Sequence, residues 1–151
     1  MKKTLLLSIF VFAIFMVGCG KDSDSVMKCN INTNLGTYTL NSDYEVHHDG
    51  KYVKSITTTE TVSSTDSSII DQMATYMDSM YQELSDTYGG YKYNVTKNNG
   101  KVVSNVTVDY TKINLKKLVE DDESAKLFVE DDKVTLEGIK ETYKNLGVEC
   151  N

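Results

Sequence analysis

Apolar positions along this chain follow several different patterns, and each marks a different kind of element. From Leu5 to Val17 they form one run interrupted only by Ser8. Between Thr37 and Val46 they alternate, with Tyr38, Leu40, Tyr44 and Val46 set against Thr37, Thr39, Asn41, Asp43 and Glu45. That is the period of a strand with one face buried. Asp49-Gly50 then supplies the positive backbone angles of a tight turn, and the segment from Tyr52 to Val62 is rich in Val, Ile and Thr, which suit a strand. A β-hairpin is predicted here. The shorter run from Met27 to Thr33, with Met27, Cys29 and Ile31 on one side, predicts a further strand.

The period lengthens after Ser63. Ser64-Thr65-Asp66-Ser67-Ser68 offers several helix caps, after which Ile69, Met73, Met77, Met80 and Leu84 recur at three and four residues until Gly89-Gly90. A helix from about Asp66 to Tyr88 is expected to lay this stripe on the sheet, leaving Asp71, Asp78 and Glu83 in water. Tyr91, Tyr93 and Val95 restore alternation, Asn98-Asn99-Gly100 turns the chain, and Val102, Val106, Val108 and Tyr110 complete a second hairpin. Asn114 to Val119 reads as a short helical turn. Glu120 to Lys133 is acidic and aperiodic and receives no element. Thr135 caps a last helix in which Leu136, Ile139, Tyr143 and Leu146 share a face, ended by Gly147. Hairpins dominate this order, so the expected fold is α+β: one domain, with two helices packed on one face of an antiparallel sheet.

The first apolar run is too short for a membrane span, which needs about 20 residues. Lys2 and Lys3 before it and Gly18-Cys19 after it give the layout of a secretory signal, and the small residue directly before the cysteine resembles a bacterial lipobox. The expected organisation is a signal peptide over residues 1–18, a lipidated Cys19 on a flexible polar tether over 19–26, and a domain over 27–151. Lipid chains contribute about 0.8 kcal/mol per buried methylene, so more than one makes a stable anchor. The protein is then anchored to the membrane on its extracytoplasmic side without crossing it.

Composition sharpens this picture. Taking Lys2 and Lys3 from the 16 basic residues leaves 14 against 22 acids, a net charge near −8 for the mature chain. Such a balance argues against nucleic acid as a partner and against adhesion to anionic lipid. Cys29 and Cys150 remain after Cys19, near the two ends of the domain and in a compartment where disulfides persist. They are either a disulfide or two free thiols, and without neighbouring His or Cys they make a poor zinc site.

The lipobox, the Asp49-Gly50-Lys51 hairpin, the string from Val106 to Asn114 with Val108-Asp109-Tyr110 at its centre, and the closing helix with Leu146-Gly147 resemble the YehR-like family of small bacterial lipoproteins. The resemblance implies an α+β domain on a lipid anchor and no established biochemical activity. It assigns no catalytic residue, and the pairing of Cys29 with Cys150 rests on this sequence alone.

Chemistry-bearing residues are few. His47 and His48 are adjacent, so on a strand they point to opposite faces and do not share a metal; they read as polar residues at a turn edge. Glu120-Asp121-Asp122-Glu123 and Glu130-Asp131-Asp132 have the oxygen ligands a hard cation takes, but neither shows the spacing of an EF-hand loop, and both read as solvated. Tyr76, Tyr81, Tyr88, Tyr91 and Tyr93 belong to the core and its rim, or to a face for sugars or protein. Asn94-Val95-Thr96 and Asn105-Val106-Thr107 match glycosylation acceptors and read as strand composition. No nucleophile elbow accompanies the histidines. The sequence therefore points to an envelope lipoprotein that binds a protein, glycan or small ligand, with no catalytic residue, cofactor or metal. The alternative is an envelope hydrolase using carboxylate or tyrosine chemistry.

Overall fold

A computed structural model describes Asp24 to Asn151; Cys19 and the apolar run before it lie outside the described residues. Five long strands form the body of an antiparallel sheet: β1 (Ser25–Asn34), β2 (Thr39–His48), β3 (Tyr52–Ser63), β4 (Tyr91–Asn98) and β5 (Lys101–Asp109). Both expected hairpins are present, and β1 pairs along the whole of β2. The strand reaches back to Ser25, two residues into the segment read as tether. Helix α1 (Ser67–Tyr88) joins the hairpins, and the chain then runs through α2 (Leu115–Asp121), a 3-10 turn (Glu123–Leu127), β6 (Val129–Glu130), β7 (Lys133–Thr135), α3 (Leu136–Asn145) and β8 (Glu149–Cys150). The order across the sheet is β4-β5-β3-β2-β1-β8, with β7 also on β3 and β6 on β7. No helix among the described residues is long and apolar enough to cross a membrane.

Register places one apolar row after another on a single face. Met27 faces Val46, which faces Ile56, then Val108 and Tyr91; Leu40 faces Val62, then Val102. Both α1 and α3 cover this face, as the alternation requires. The other face carries Thr57, Thr59 and Thr61 beside Thr107 and Asn105 and stays open, the usual arrangement of an antiparallel sheet. The buried side chains form two clusters. One joins Val46, Ile56 and Met27 to Val134, Ile139, Tyr143 and Val148, while the other packs Val62, Val102 and Val106 under Ile70, Met77 and Tyr81 of α1.

Two helical faces differ from expectation. In α1 the deeply buried residues are Ile70, Met77 and Tyr81, whereas Ile69, Met73, Met80 and Leu84 flank them half-buried. Met77 of the expected stripe therefore lies at the centre of the buried face, while Met73, Met80 and Leu84 form its shoulder; Asp66 caps the helix through Ser68 N–H at 2.8 Å. Asp71, Asp78 and Glu83 are exposed. Leu146 is 64% exposed: α3 has already ended at Asn145, and Gly147 at φ 76° turns the chain so that Val148 fills the core instead.

The unassigned acidic stretch is ordered by local caps. The Asp122 carboxylate accepts from Ser124 N–H at 2.9 Å to start the 3-10 turn, and Asp131-Asp132 is the two-residue turn between β6 and β7, with φ of 50° and 57°. Gly138 permits α3 to seat there, since a Cβ at that position would stand 2.5 Å from the Leu127 carbonyl oxygen and from Phe128 Cα. Cys29 and Cys150 form a disulfide between directly opposed positions of β1 and β8 (S–S 2.08 Å).

Candidate functional site

A cleft opens where one strand hands over an edge to another. β5 leaves the edge of β3 after Ser55 pairs with Asp109, and β7 takes up that edge at Val53 and Tyr52. The chain following β5 stays tied to the seam, with Tyr110 N–H donating to the Lys54 carbonyl at 2.9 Å. Between them lies a cleft of about 550 Å³ lined by three segments far apart in sequence: Asp49 and Tyr52 to Lys54, Tyr110 to Lys116 apart from Lys112, and Asp132 to Val134. Its floor is hydrocarbon, from Val53, Ile113, Leu115 and Val134, each nearly or fully buried. Size and composition fall within the range of small-ligand sites, about 300–1,000 Å³ with an apolar lining and a few polar groups.

Lysines, aspartates and tyrosines stand around the floor, Lys54, Lys116 and Lys133 with Asp49, Asp132, Tyr52 and Tyr110. Lys133 and Lys51 each stand 4.7 Å from the centre of the Tyr52 ring, within cation–π range. The Lys51 pKa is raised, chiefly by its hydrogen bond to the Tyr52 side chain, so it keeps its charge at neutral pH. Lys54 is paired with Asp24 at 2.6 Å. Asp49 spends its carboxylate on its own turn, accepting from Lys51 and Tyr52 N–H at 2.9 and 2.8 Å, and these two bonds hold its pKa below the usual carboxylate range. Burial pushes the Tyr110 phenol well above the ordinary tyrosine value, with Tyr91 adding to the shift. Tyr110 is therefore uncharged at neutral pH.

A second polar feature lies under α1. Ser42, Glu60 and Ser104 form one row across β2, β3 and β5 on the covered face. The hydroxyls of Tyr81 and Ser104 both donate to Glu60 Oε2, the latter at 2.9 Å. Burial, then the hydrogen bond to Glu60, drives the Tyr81 pKa far upward, so the phenol stays protonated and keeps donating. A neutral phenol held on a carboxylate anchors the helix to the sheet; it does not present a nucleophile.

The residues singled out in the sequence scatter. His48 Nδ1 accepts from Gly50 N–H at 3.1 Å and holds the turn, beside an irregularity in pairing between His47 and His48. Asp121 bonds Lys117 and Tyr88, and Glu123 pairs with Lys126. Among the described residues no group of three or more His, Cys, Asp and Glu is placed to hold a metal ion. Tyr81 and Tyr93 join the core with ring centres 5.8 Å apart, while Tyr76 is 60% exposed. Asn94 and Asn105 face each other on the open side of the sheet. The cleft and the Glu60 row were both missed. Glu60 had a signal: it shares parity with Ile56 and Val62 on β3, and an acid on the apolar side of a strand must find donors inside. The cleft had none, because its three walls meet only in the fold.

An eight-stranded antiparallel sheet with its helices on one side defines this chain as a small α+β domain. Residues 19–151 match a family described as a domain of unknown function (DUF8824), and the chain belongs to that family. Among solved structures it is similar to the YehR protein of Escherichia coli (TM-score 0.56, 16% identity, 85% of this chain and 93% of that one). It is also similar to a protein from Streptococcus pneumoniae TIGR4 (TM-score 0.56, 10% identity, 100% of this chain and 96% of that one). These likenesses establish a YehR-like fold. A search of curated proteins finds no match.

Proposed function

We propose that this protein is a lipid-anchored lipoprotein of the cell envelope that acts as a non-catalytic binding module, with the cleft between β5 and β7 as its binding site. The observation that carries this reading is the cleft itself, in which a hydrocarbon floor is ringed by lysines, aspartates and tyrosines drawn from three segments. Binding needs a shaped, partly apolar concavity; catalysis also needs a nucleophile or base aligned with a group that orients it. Glu60 and Tyr81, a carboxylate–tyrosine pair, are bonded to each other beneath α1 rather than turned to the cleft. The anchor rests on Gly18-Cys19 and the apolar run before it.

Two measurements test the proposal. Wild-type cells incorporate labelled palmitate into the protein and Cys19→Ser cells do not; labelling of the variant removes the anchor. The purified protein turns over nothing in esterase, phosphatase, glycosidase and peptidase panels. Turnover that disappears in Glu60→Gln or Tyr81→Phe, with the fold intact, assigns the protein to the hydrolases instead.

A further inference from the structure

A second cavity of about 550 Å³ opens between the start of β1, the end of β2 and α3, and it shares no residue with the cleft at β7. Val26, Met27 and Val148 supply its apolar wall, and His48, Lys140 and Lys144 its polar one. The lysines are unpaired. They stand about one turn apart on α3, and among the described residues neither makes an ion pair. Lys140 also borders the cavity that Glu137 and Glu141 share with Gly50, and pairs with neither acid. The lining itself holds no Asp or Glu side chain, so counting an α-carboxylate at Asn151 against the two lysines still leaves a positive charge in excess. His48 adds a donor: its Nδ1 accepts from Gly50 N–H at 3.1 Å, which leaves the proton of the neutral ring on Nε2.

This cavity is close to where the chain enters the domain. Val26 is seven residues from Cys19, at most about 24 Å when fully extended, whereas Asn34, at the other end of β1, lies about 27 Å further on. Val26 is also 43% exposed, an apolar side chain at the first turn of the strand from the anchor. A chain of net charge −6 repels free anions. An anchor at Cys19 offsets that repulsion by holding the lysines beside a surface dense in phosphodiesters, at high effective concentration. Ammonium groups bind phosphate as point charges, and one positive charge in excess with an added N–H donor matches a monoanion with several acceptor oxygens. We propose that the cavity takes the phosphodiester of a membrane phospholipid headgroup, held by Lys140, Lys144 and His48, and so seats the domain against the bilayer. This inference rests on the anchored reading of the protein and is independent of what the cleft at β7 binds.

The test uses the full lipidated protein in phosphatidylcholine vesicles doped with a phosphatidylglycerol that carries a diazirine beside its phosphate. Light should attach the probe to the peptides that hold Lys140 and Lys144 and Val148 to Asn151. The double variant Lys140→Glu/Lys144→Glu should lose this labelling roughly fivefold to tenfold, as expected for reversing two exposed charges, whereas Lys92→Glu on β4 should label as wild type. The neutral Lys140→Gln/Lys144→Gln should lose about threefold and keeps the test decisive if the glutamates unsettle α3. Equal labelling by a diacylglycerol with the same diazirine overturns the phosphate, and competition by soluble glycerol phosphate as strong as by phosphatidylglycerol overturns the lipid source. Labelling confined to other peptides, undiminished labelling of both double variants, or no labelling overturns the site. Failure of the anchored reading is separate, being labelled palmitate in the Cys19→Ser protein.

Discussion

The two halves of the core are built in opposite ways on the same face of one sheet. Under α1, a single 22-residue helix covers Val62, Val102 and Val106, and its one buried polar contact is the seat of Tyr81 on Glu60 and Ser104. The other half is roofed by short pieces, α2, the 3-10 turn, the β6–β7 hairpin and α3, returning from the last third of the chain and fastened by Cys29–Cys150. The clefts along the long helix are smaller, about 350 and 400 Å³. Short pieces leave seams, and the cleft is the seam between β5 and β7. The disulfide belongs to this half because two-residue β8 has too little pairing to hold the chain end against β1 by itself.

Removing that bond should have the largest effect. Cys29→Ser/Cys150→Ser opens a loop with a sequence separation of 121, worth about 4–5 kcal/mol in the chain-entropy account. Urea unfolding should report the loss, and hydrogen exchange should place the new mobility at Val148–Asn151 and β1 while α1 keeps its protection. Loosening of α1 alone would dissolve the distinction between the halves. Met77→Ala, at the centre of the buried face of α1, should cost about 2–5 kcal/mol, and Leu84→Ala, half-buried at its shoulder, should cost less. The reverse order in denaturant midpoints would move the centre of the buried face toward Leu84.

Tyr81→Phe leaves Glu60 one donor short and should cost about 1–3 kcal/mol. The same phenol sets an alkaline limit. Tyr81, Tyr110 and Tyr143 all have pKa values raised by burial, so their contribution is complete below the unfolded value near pH 10 and declines as pH rises through the folded values. In a spectrophotometric titration, three of the ten tyrosines should ionise only as the chain unfolds. Ionisation of all ten in one step with the fold intact would place these phenols in water. The smallest effect is expected at Leu146, 64% exposed, where Leu146→Ala should change stability by under about 0.5 kcal/mol. A larger loss would put Leu146 back on the core face of α3.

How much of this was legible follows the same division. Alternation in β2, β4 and β5, with the Val, Ile and Thr content of β3, named the hairpins, because a strand with one solvated face writes its period into the sequence. The turn at Asn99-Gly100 was readable for the same local reason. The centre of α1 was displaced because Met73, Met80 and Leu84 are as apolar as the buried set, while Tyr81 looks amphipathic until Glu60 is found beneath it. The stretch from Glu120 to Lys133 was opaque, since two- and three-residue strands and a 3-10 turn are too short to show a period. The cleft inherits that opacity: Tyr52, Tyr110 and Lys133 meet only because β7 replaces β5 on the edge of β3.

The claim that function resides in the seam is tested most directly by placing one photocrosslinking residue at two positions of the anchored protein in its own membranes. Position 111 replaces Thr111 on the cleft wall, and position 59 replaces Thr59 on the open face of the sheet. A discrete adduct from position 111 that is absent from position 59 is the predicted result. An adduct formed only from position 59, or the same adduct from both, would contradict it and move the binding surface to the open face of the sheet.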